Sequence, residues 1–246
     1  MTERMVRFDI LRYRPEQEEE PAWQSYDVPC RAEWVVLDAL NYIKDHIDGT
    51  LSHRWSCHMA VCGSCGVMVD GKPVLACKAF LRDYSGSVRV APMANFPIHR
   101  DLITDMEGFT AKLASVSPYL VPAVEVDEEA EFRQSPAELA VYRQYTMCIN
   151  CLLCYAACPQ VALNQDYIGP AALALAHRYN LDSRDAGRDR REQATASEEG
   201  VWECTYVGEC SEVCPKAVDP AGAIQQMKLA SSLDWLGDLL PGRRKS

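Results

Sequence analysis

Cys148-Ile-Asn-Cys151-Leu-Leu-Cys154-Tyr-Ala-Ala-Cys158-Pro159 and, further along, Cys204-Thr-Tyr-Val-Gly-Glu-Cys210-Ser-Glu-Val-Cys214-Pro215 decide how this chain folds. The first has the C-x2-C-x2-C-x3-C-P spacing of bacterial two-cluster ferredoxins, whose fourth Cys serves the other cluster. The second departs from it at one place: Val207 stands where the middle Cys would be. Crossing the fourth ligands as the ferredoxin rule requires gives Cys148, Cys151, Cys154 and Cys214 to one cluster, with four thiolates. Cys158, Cys204 and Cys210 fall to the other, with three. A cubane held by three thiolates is prone to lose an iron, so the expected pair is [4Fe-4S] and [3Fe-4S].

A third cysteine run, Cys57-x4-Cys62-x2-Cys65, begins like the plant-type [2Fe-2S] pattern. Its fourth candidate ligand is Cys77, close behind. Val67-Met-Val69 and Val74-Leu-Ala76 flank Asp70-Gly71, a type I′ turn signal, and such a hairpin returns Cys77 to the Cys57–Cys65 loop. Lys72-Pro73 makes the start of the second strand irregular. Gly63 and Gly66 are expected to bring backbone N–H groups close to the sulfurs. Of the twelve cysteines, these three sets leave only Cys30, read as a small buried or partly buried thiol. No secretory signal is read, which points to a reducing compartment and against disulfides. Zinc sites favour paired C-x2-C or Cys/His ligands rather than runs of three Cys ending in Cys-Pro.

With 246 residues the chain has room for two modest domains. Its net charge of −10 argues against nucleic acid and against attraction to anionic lipid. No stretch approaches the roughly 20 apolar residues of a membrane span. There is no G-x-G-x-x-G after a strand, no P-loop and no nucleophile motif, so neither a nucleotide or flavin site nor substrate chemistry is visible.

Residues 5–13 and 23–28 read as strands. The spacing predicts a helix over 34–48, with Val36, Leu37, Leu40, Ile43 and Ile47 on one face and Gly49 as C-cap. The hairpin and a strand near 87–90 complete a β-grasp order. From about Pro97 the pattern turns helical: a helix over Asp101–Leu113, then an acidic linker through Pro118, Pro122 and Glu125–Glu131. Ser135-Pro136, Gly169-Pro170 and Asp219-Pro220 each open a further helix. The expected fold is α+β: an N-terminal β-grasp [2Fe-2S] ferredoxin domain over 1–105, then an all-helical two-cubane ferredoxin domain over 106–246.

Arg54-Trp-Ser-Cys57, Cys62-Gly-Ser-Cys65-Gly66, Met147-Cys-Ile-Asn-Cys151, His177-Arg-Tyr-Asn-Leu-Asp-Ser-Arg184 and Cys210-Ser-Glu-Val-Cys-Pro-Lys216 carry a resemblance to the iron–sulfur subunits of fumarate reductase and succinate dehydrogenase, over essentially the whole length. The resemblance implies a peripheral subunit at the cytoplasmic face of the bacterial inner membrane. It would relay electrons between an FAD-bearing flavoprotein subunit, which interconverts fumarate and succinate, and a quinone-binding membrane anchor. It also implies that Gln225 and Lys228 line the quinone site. The segment Pro159-Gln-Val-Ala-Leu-Asn164 lacks the Trp usual in ubiquinone-linked succinate dehydrogenases, and so resembles the menaquinone-linked fumarate reductase branch of anaerobic respiration. His58 stands where the family leads us to expect Arg. Two other readings compete with this one: a related subunit serving a thiol:fumarate or heterodisulfide reductase, and a binding module with purely structural clusters.

Overall fold

The computed structural model describes residues 4–122 and 131–239, with side chains to residue 237. The acidic linker read over Glu125–Glu131 therefore lies outside the described residues except for Glu131. The chain forms two compact units, Met1–Met106 with Ile149–Ala157, and Glu107–Cys148 with Cys158–Ser246.

The first unit is built on a five-stranded sheet in the order β2-β1-β5-β3-β4. Its strands are β1 (Met5–Arg12), β2 (Ala22–Pro29), β3 (Gly66–Val69), β4 (Lys72–Leu75) and β5 (Val88–Ala91). β1 alternates buried and exposed positions, with Val6, Phe8 and Ile10 inward. Each such side chain contributes about 1.5–3 kcal/mol on burial. β1 pairs antiparallel with β2 and parallel with β5, and a parallel partner requires a crossover between the strands. That crossover includes α1 (Val36–Tyr42), which buries Val36, Leu37, Ala39 and Leu40.

The helix is shorter than its periodicity predicts. A π-type turn over Ile43–Ile47 follows α1, with the Asp48 N–H donating to the Ile43 carbonyl at 2.7 Å. The extra residue in that turn rotates the chain, so Ile43 stays buried while Ile47 faces solvent. Gly49 is not the left-handed cap expected. Asp48, extended at φ −143°, ends the turn, and Lys44 Nζ donates to the carbonyls of Gly49 and Leu51 at 3.3 and 2.7 Å.

Asp70 (φ 47°) and Gly71 (φ 79°) make the tight turn between β3 and β4. Pro73 lies within β4, opposite Met68, rather than disrupting it. β4 is an edge strand, so its missing N–H removes no ladder bond.

The helix expected from Asp101 begins later. Residues 98–104 form a small hairpin of β6 (Ile98–Arg100) and β7 (Ile103–Thr104), and α2 spans Glu107–Ser115. The reason is Asp101. Its side chain is fully buried at φ 46° and accepts from Arg12 Nε (2.9 Å) and from the N–H groups of Tyr13 (3.0 Å) and Ser52 (2.8 Å). Those bonds fix a turn where local propensity alone favours a helix. Arg12 in turn reaches Asp48 (2.7 Å), Thr50 (3.0 Å) and the Tyr26 hydroxyl, tying β1, β2, the end of the π turn and the β6–β7 turn into one polar hub.

The first unit runs to Met106 and also takes in Ile149–Ala157, a segment expected wholly in the second domain. Gly63 explains how. It sits at φ +73°, and a Cβ there would stand 2.9 Å from the Ile149 carbonyl oxygen and 3.0 Å from Cys151 Cα. Gly66 likewise leaves room for Met93 and the Cys151 carbonyl. Asn95 Nδ2 donates to the Tyr155 carbonyl at 2.8 Å in α4 (Leu153–Ala156). The two glycines thus admit a neighbouring backbone, rather than the sulfurs as expected.

The second unit contains α2, α3 (Pro136–Tyr142), α5 (Pro159–Leu163), α6 (Pro170–Asn180), α7 (Arg188–Thr195), α8 (Glu209–Glu212) and α9 (Pro220–Leu239). Ser135 and Glu138 form a capping box ahead of α3, with Pro136 in its first turn. Asp219 Oδ1 accepts the Gly222 N–H at 2.9 Å and so opens α9. α6 packs against α9, and Tyr142, Tyr145, Ala174, Val218 and Ala223 form a buried cluster with Cys148 and Cys214 set against it.

Arg12→Met is expected to destabilise the first unit by about 3–5 kcal/mol, because it strands the buried Asp101 carboxylate. Denaturant unfolding of the whole chain measures this, with Arg12→Lys intermediate. Burial pushes the Asp48 carboxyl up, but bonds from Thr50, Arg12 and Tyr26 outweigh that and hold it well below the usual range. Its contribution is therefore present above about pH 4 and lost as pH falls further, and Asp48→Asn should flatten that acid limb. Gly63→Ala should cost at least about 1–2 kcal/mol from its left-handed backbone alone. The clash with Ile149 should raise proteolytic sensitivity within 149–157.

Candidate metal centres

The cysteine loops curl. Ten non-glycine residues have positive φ among those described; five of them lie in the cysteine runs, His58, Ala60, Asn150, Leu152 and Tyr206, and a sixth, Ala217, just follows Cys214-Pro215. Left-handed residues turn successive N–H groups to one side, which makes a concavity suited to anionic sulfur. At the first run, Cys57 Sγ accepts from the N–H groups of Met59 (3.4 Å), Val61 (3.4 Å) and Cys62 (3.3 Å). Cys77 Sγ accepts from Ala60 at 3.3 Å, and Cys62 Sγ from Ser64 at 3.5 Å. The hairpin therefore does return Cys77 to the loop, and the Ala76 N–H also donates to the Cys65 carbonyl at 2.9 Å.

The four thiols meet contrasting environments. Backbone N–H bonds pull the Cys57 thiol down to about 6, whereas burial pushes Cys65 up to about 12 against a backbone hydrogen bond from Cys77. A buried thiol of that kind becomes a thiolate only when a cation shares its charge. Iron supplies that charge, so the donor set fits a cluster.

The second and third runs repeat one conformation. Asn150 and Tyr206, each two residues after the opening Cys, have φ 49° and 61°. Leu152 and Gly208, each four residues after it, have φ 65° and 89° and cap the four-residue helices α4 and α8. In this shared path Val207 occupies the place of Cys151. The substitution is thus a change of side chain on an unchanged backbone turn.

Cys158, Cys204 and Cys210 line one concavity in the second unit, with Val207, Tyr206, Ile224 and Pro170 among its walls. The three thiols lie within electrostatic reach of one another. Burial, then the neighbouring Cys158, pushes Cys210 up to about 11, and burial raises Cys158. Cys204 Sγ accepts from the Tyr206 N–H at 3.4 Å and from Gln225 Nε2 at 3.9 Å. Lys228 Nζ donates to the Cys204 carbonyl at 2.6 Å and lies 5.6 Å from the Trp202 ring centre. Cys148 and Cys214 share the Tyr142–Ala223 cluster, and Cys214 Sγ accepts from the Val218 N–H at 3.3 Å.

Among the described residues no three His, Cys, Asp or Glu side chains converge as ligands of a single ion. A [4Fe-4S] cluster takes one thiolate per iron and a [2Fe-2S] cluster two, so in either the cysteine sulfurs stand apart around an inorganic core rather than around one ion. The twelve cysteines form no disulfide, and Cys30 is half-buried, away from the runs in sequence. His58 is partly exposed and pairs with Asp38 at 3.0 Å. No sequence pattern marks Trp202 beside Lys228 or the N–H donors of Met59, Val61 and Tyr206. Their signal is backbone conformation, which residue type does not announce outside glycine.

Residues 7–111 match the model of a 2Fe-2S iron-sulfur cluster binding domain and residues 140–215 that of a 4Fe-4S dicluster domain. The chain is 56% identical over 242 residues to the fumarate reductase iron-sulfur subunit of Mycobacterium tuberculosis, covering 98% of each. It is 53% identical over 231 residues to that of Escherichia coli O157:H7, covering 94% of this chain and 95% of the relative. With the succinate dehydrogenase iron-sulfur subunit of Paracoccus denitrificans it shares 37% over 224 residues, 90% of this chain and 86% of the other. In fold it matches a chain of the Mycobacterium smegmatis Sdh1 complex in the apo form, with TM-score 0.87 and 22% identity, over 97% of this chain and 100% of that one. The chain belongs to the family of fumarate reductase and succinate dehydrogenase iron–sulfur subunits, and is the electron-transfer component of such an oxidoreductase complex, with 2Fe-2S and 4Fe-4S domains.

Proposed function

We propose that the chain carries three clusters in series between a flavoprotein subunit and membrane quinone. Cys57, Cys62, Cys65 and Cys77 hold the [2Fe-2S] cluster. Cys148, Cys151, Cys154 and Cys214 hold the [4Fe-4S] cluster, an assignment that rests on spacing. Cys158, Cys204 and Cys210 hold [3Fe-4S]. The observation that carries this reading is the concavity shared by those last three thiols, with Val207 on its wall at the turn position where the Cys148–Cys158 run has Cys151. A missing thiolate there leaves one corner of the cubane without iron.

Surface chemistry supports the two partners. Trp55, Met59 and Val61 are exposed on the Cys57–Cys65 loop, a suitable docking face for the FAD-bearing flavoprotein. Leu229, Leu233 and Leu236 are exposed at helical spacing along α9, joined by Trp235, Trp202 and Tyr206, as a membrane-anchor contact requires. Among the described residues no helix is long and apolar enough to cross a membrane, so attachment to the cytoplasmic face of the inner membrane falls to the anchor. Gln225 and Lys228, both turned toward Cys204, would line the quinone site. The higher identity to fumarate reductase subunits, and the Trp-free α5, favour menaquinone.

Val207→Cys should supply the fourth thiolate and convert the site to [4Fe-4S], lowering its potential and slowing quinone-linked turnover. Electron paramagnetic resonance of air-oxidised complex tests this: the variant should lose the S = 1/2 signal of an oxidised three-iron cluster. An unchanged signal would contradict the ligand assignment. Lys228→Ala and Gln225→Ala should lower quinol-linked fumarate reduction by roughly ten-fold or more, as the loss of a charged hydrogen bond implies. Reduction driven by a dye acting through the flavoprotein should fall by a much smaller factor, and equal losses in both assays would count against a quinone role.

A further inference from the structure

Two polar side chains of α9 converge on one cluster ligand rather than simply facing outward. Gln225 Nε2 lies 3.9 Å from Cys204 Sγ, and Lys228 Nζ donates to the Cys204 carbonyl at 2.6 Å. They are three residues apart, so one helix face carries both to the same residue. Both are half-buried, where an interaction with charge is stronger than in water. The Tyr206 N–H completes the set on the sulfur.

We propose that Gln225 and Lys228 set the reduction potential of the cluster held by Cys158, Cys204 and Cys210, by stabilising negative charge on Cys204. This deepens, and rests on, the three-iron reading above. One-electron reduction, with the electron arriving from quinol, flavoprotein or a titrant, places one more negative charge on the iron–sulfur core and its thiolates. A donor to the ligating sulfur, and an ammonium held on that ligand's own carbonyl, favour the more negative state. Hydrogen bonds to cluster sulfurs and nearby positive charge are the levers that raise such potentials. A high potential makes the cluster a good acceptor from quinol. The two residues therefore act on the cluster as well as on the quinone, and the cluster effect needs no quinone present.

The test is a potentiometric titration of the three-iron signal in the membrane-bound complex, with quinone extracted. At a fixed poise, Gln225→Met should lower the ratio of reduced to oxidised cluster by roughly fivefold, the loss of one net hydrogen bond. Gln225→Glu should lower it further, because it sets an anion beside Cys204. Lys228→Met should lower the ratio, and Lys228→Arg should restore most of it. The [2Fe-2S] signal of the same samples is the internal reference and should not shift. Midpoints identical to wild type in Gln225→Met, Gln225→Glu and Lys228→Met, with full signal intensity, would overturn the proposal while leaving the three-iron reading intact. A wild type without the oxidised three-iron signal would overturn that reading, and the proposal with it.

Discussion

Thiolate charge is the constraint on which the rest depends. In the assignment proposed above, eleven cysteines in three sets present negative sulfur inside a protein, where an unpaired charge is costly. Iron supplies most of the compensation when bound, and the backbone supplies the remainder. Met59, Val61 and Cys62 turn their N–H groups on Cys57, Ala60 on Cys77, Tyr206 on Cys204 and Val218 on Cys214. Such donors come from loops and from the first turns of helices, because helix interiors and sheets use their own N–H groups internally. The left-handed residues at 58, 60, 150, 152, 206 and 217 are the conformational cost of bending those loops around sulfur. Rigid elements then hold the loops in place: the β3–β4 hairpin behind Cys77, and, within the second unit, α6 with α9 behind Cys148, Cys158 and the Cys204–Cys214 run.

Much of this was legible in the sequence because the chemistry demands particular residues at particular intervals. Spacing identified the three runs, Asp70-Gly71 identified the turn that returns Cys77, and Ser-Pro, Gly-Pro and Asp-Pro marked three helix starts that the structure bears out at Pro136, Pro170 and Pro220. What stayed hidden was tertiary. The π turn at Ile43–Ile47 leaves the apolar period of α1 unchanged in sequence while rotating Ile47 into solvent. Asp101 reads as a helix start, yet its carboxylate is claimed by Arg12 from the far end of β1. Gly63 looks like a residue serving its neighbouring cysteines, but its missing Cβ admits the backbone of 149–151. No local pattern carries that information, because the partner lies far along the chain.

Val207 joins the two kinds of evidence. Sequence alone marks a missing Cys. The backbone adds that residues 204–208 follow the path of 148–152, with left-handed residues at corresponding places, so the turn is kept and only the ligand is removed. A site that retains the fold of a four-ligand loop while lacking one thiolate is matched to a cluster with one corner empty. In the three-thiolate assignment proposed above, Gln225 and Lys228 both reach Cys204 from α9, one at its sulfur and the other at its carbonyl.

In the proposed assignment one chain holds three clusters of different nuclearity. Mössbauer spectroscopy of the iron-57-enriched, air-oxidised complex tests it most directly, because every iron contributes to the spectrum. The account predicts three components: a diferric [2Fe-2S] site, a diamagnetic [4Fe-4S] site and an all-ferric three-iron site. A spectrum made up of only [2Fe-2S] and [4Fe-4S] components would contradict it.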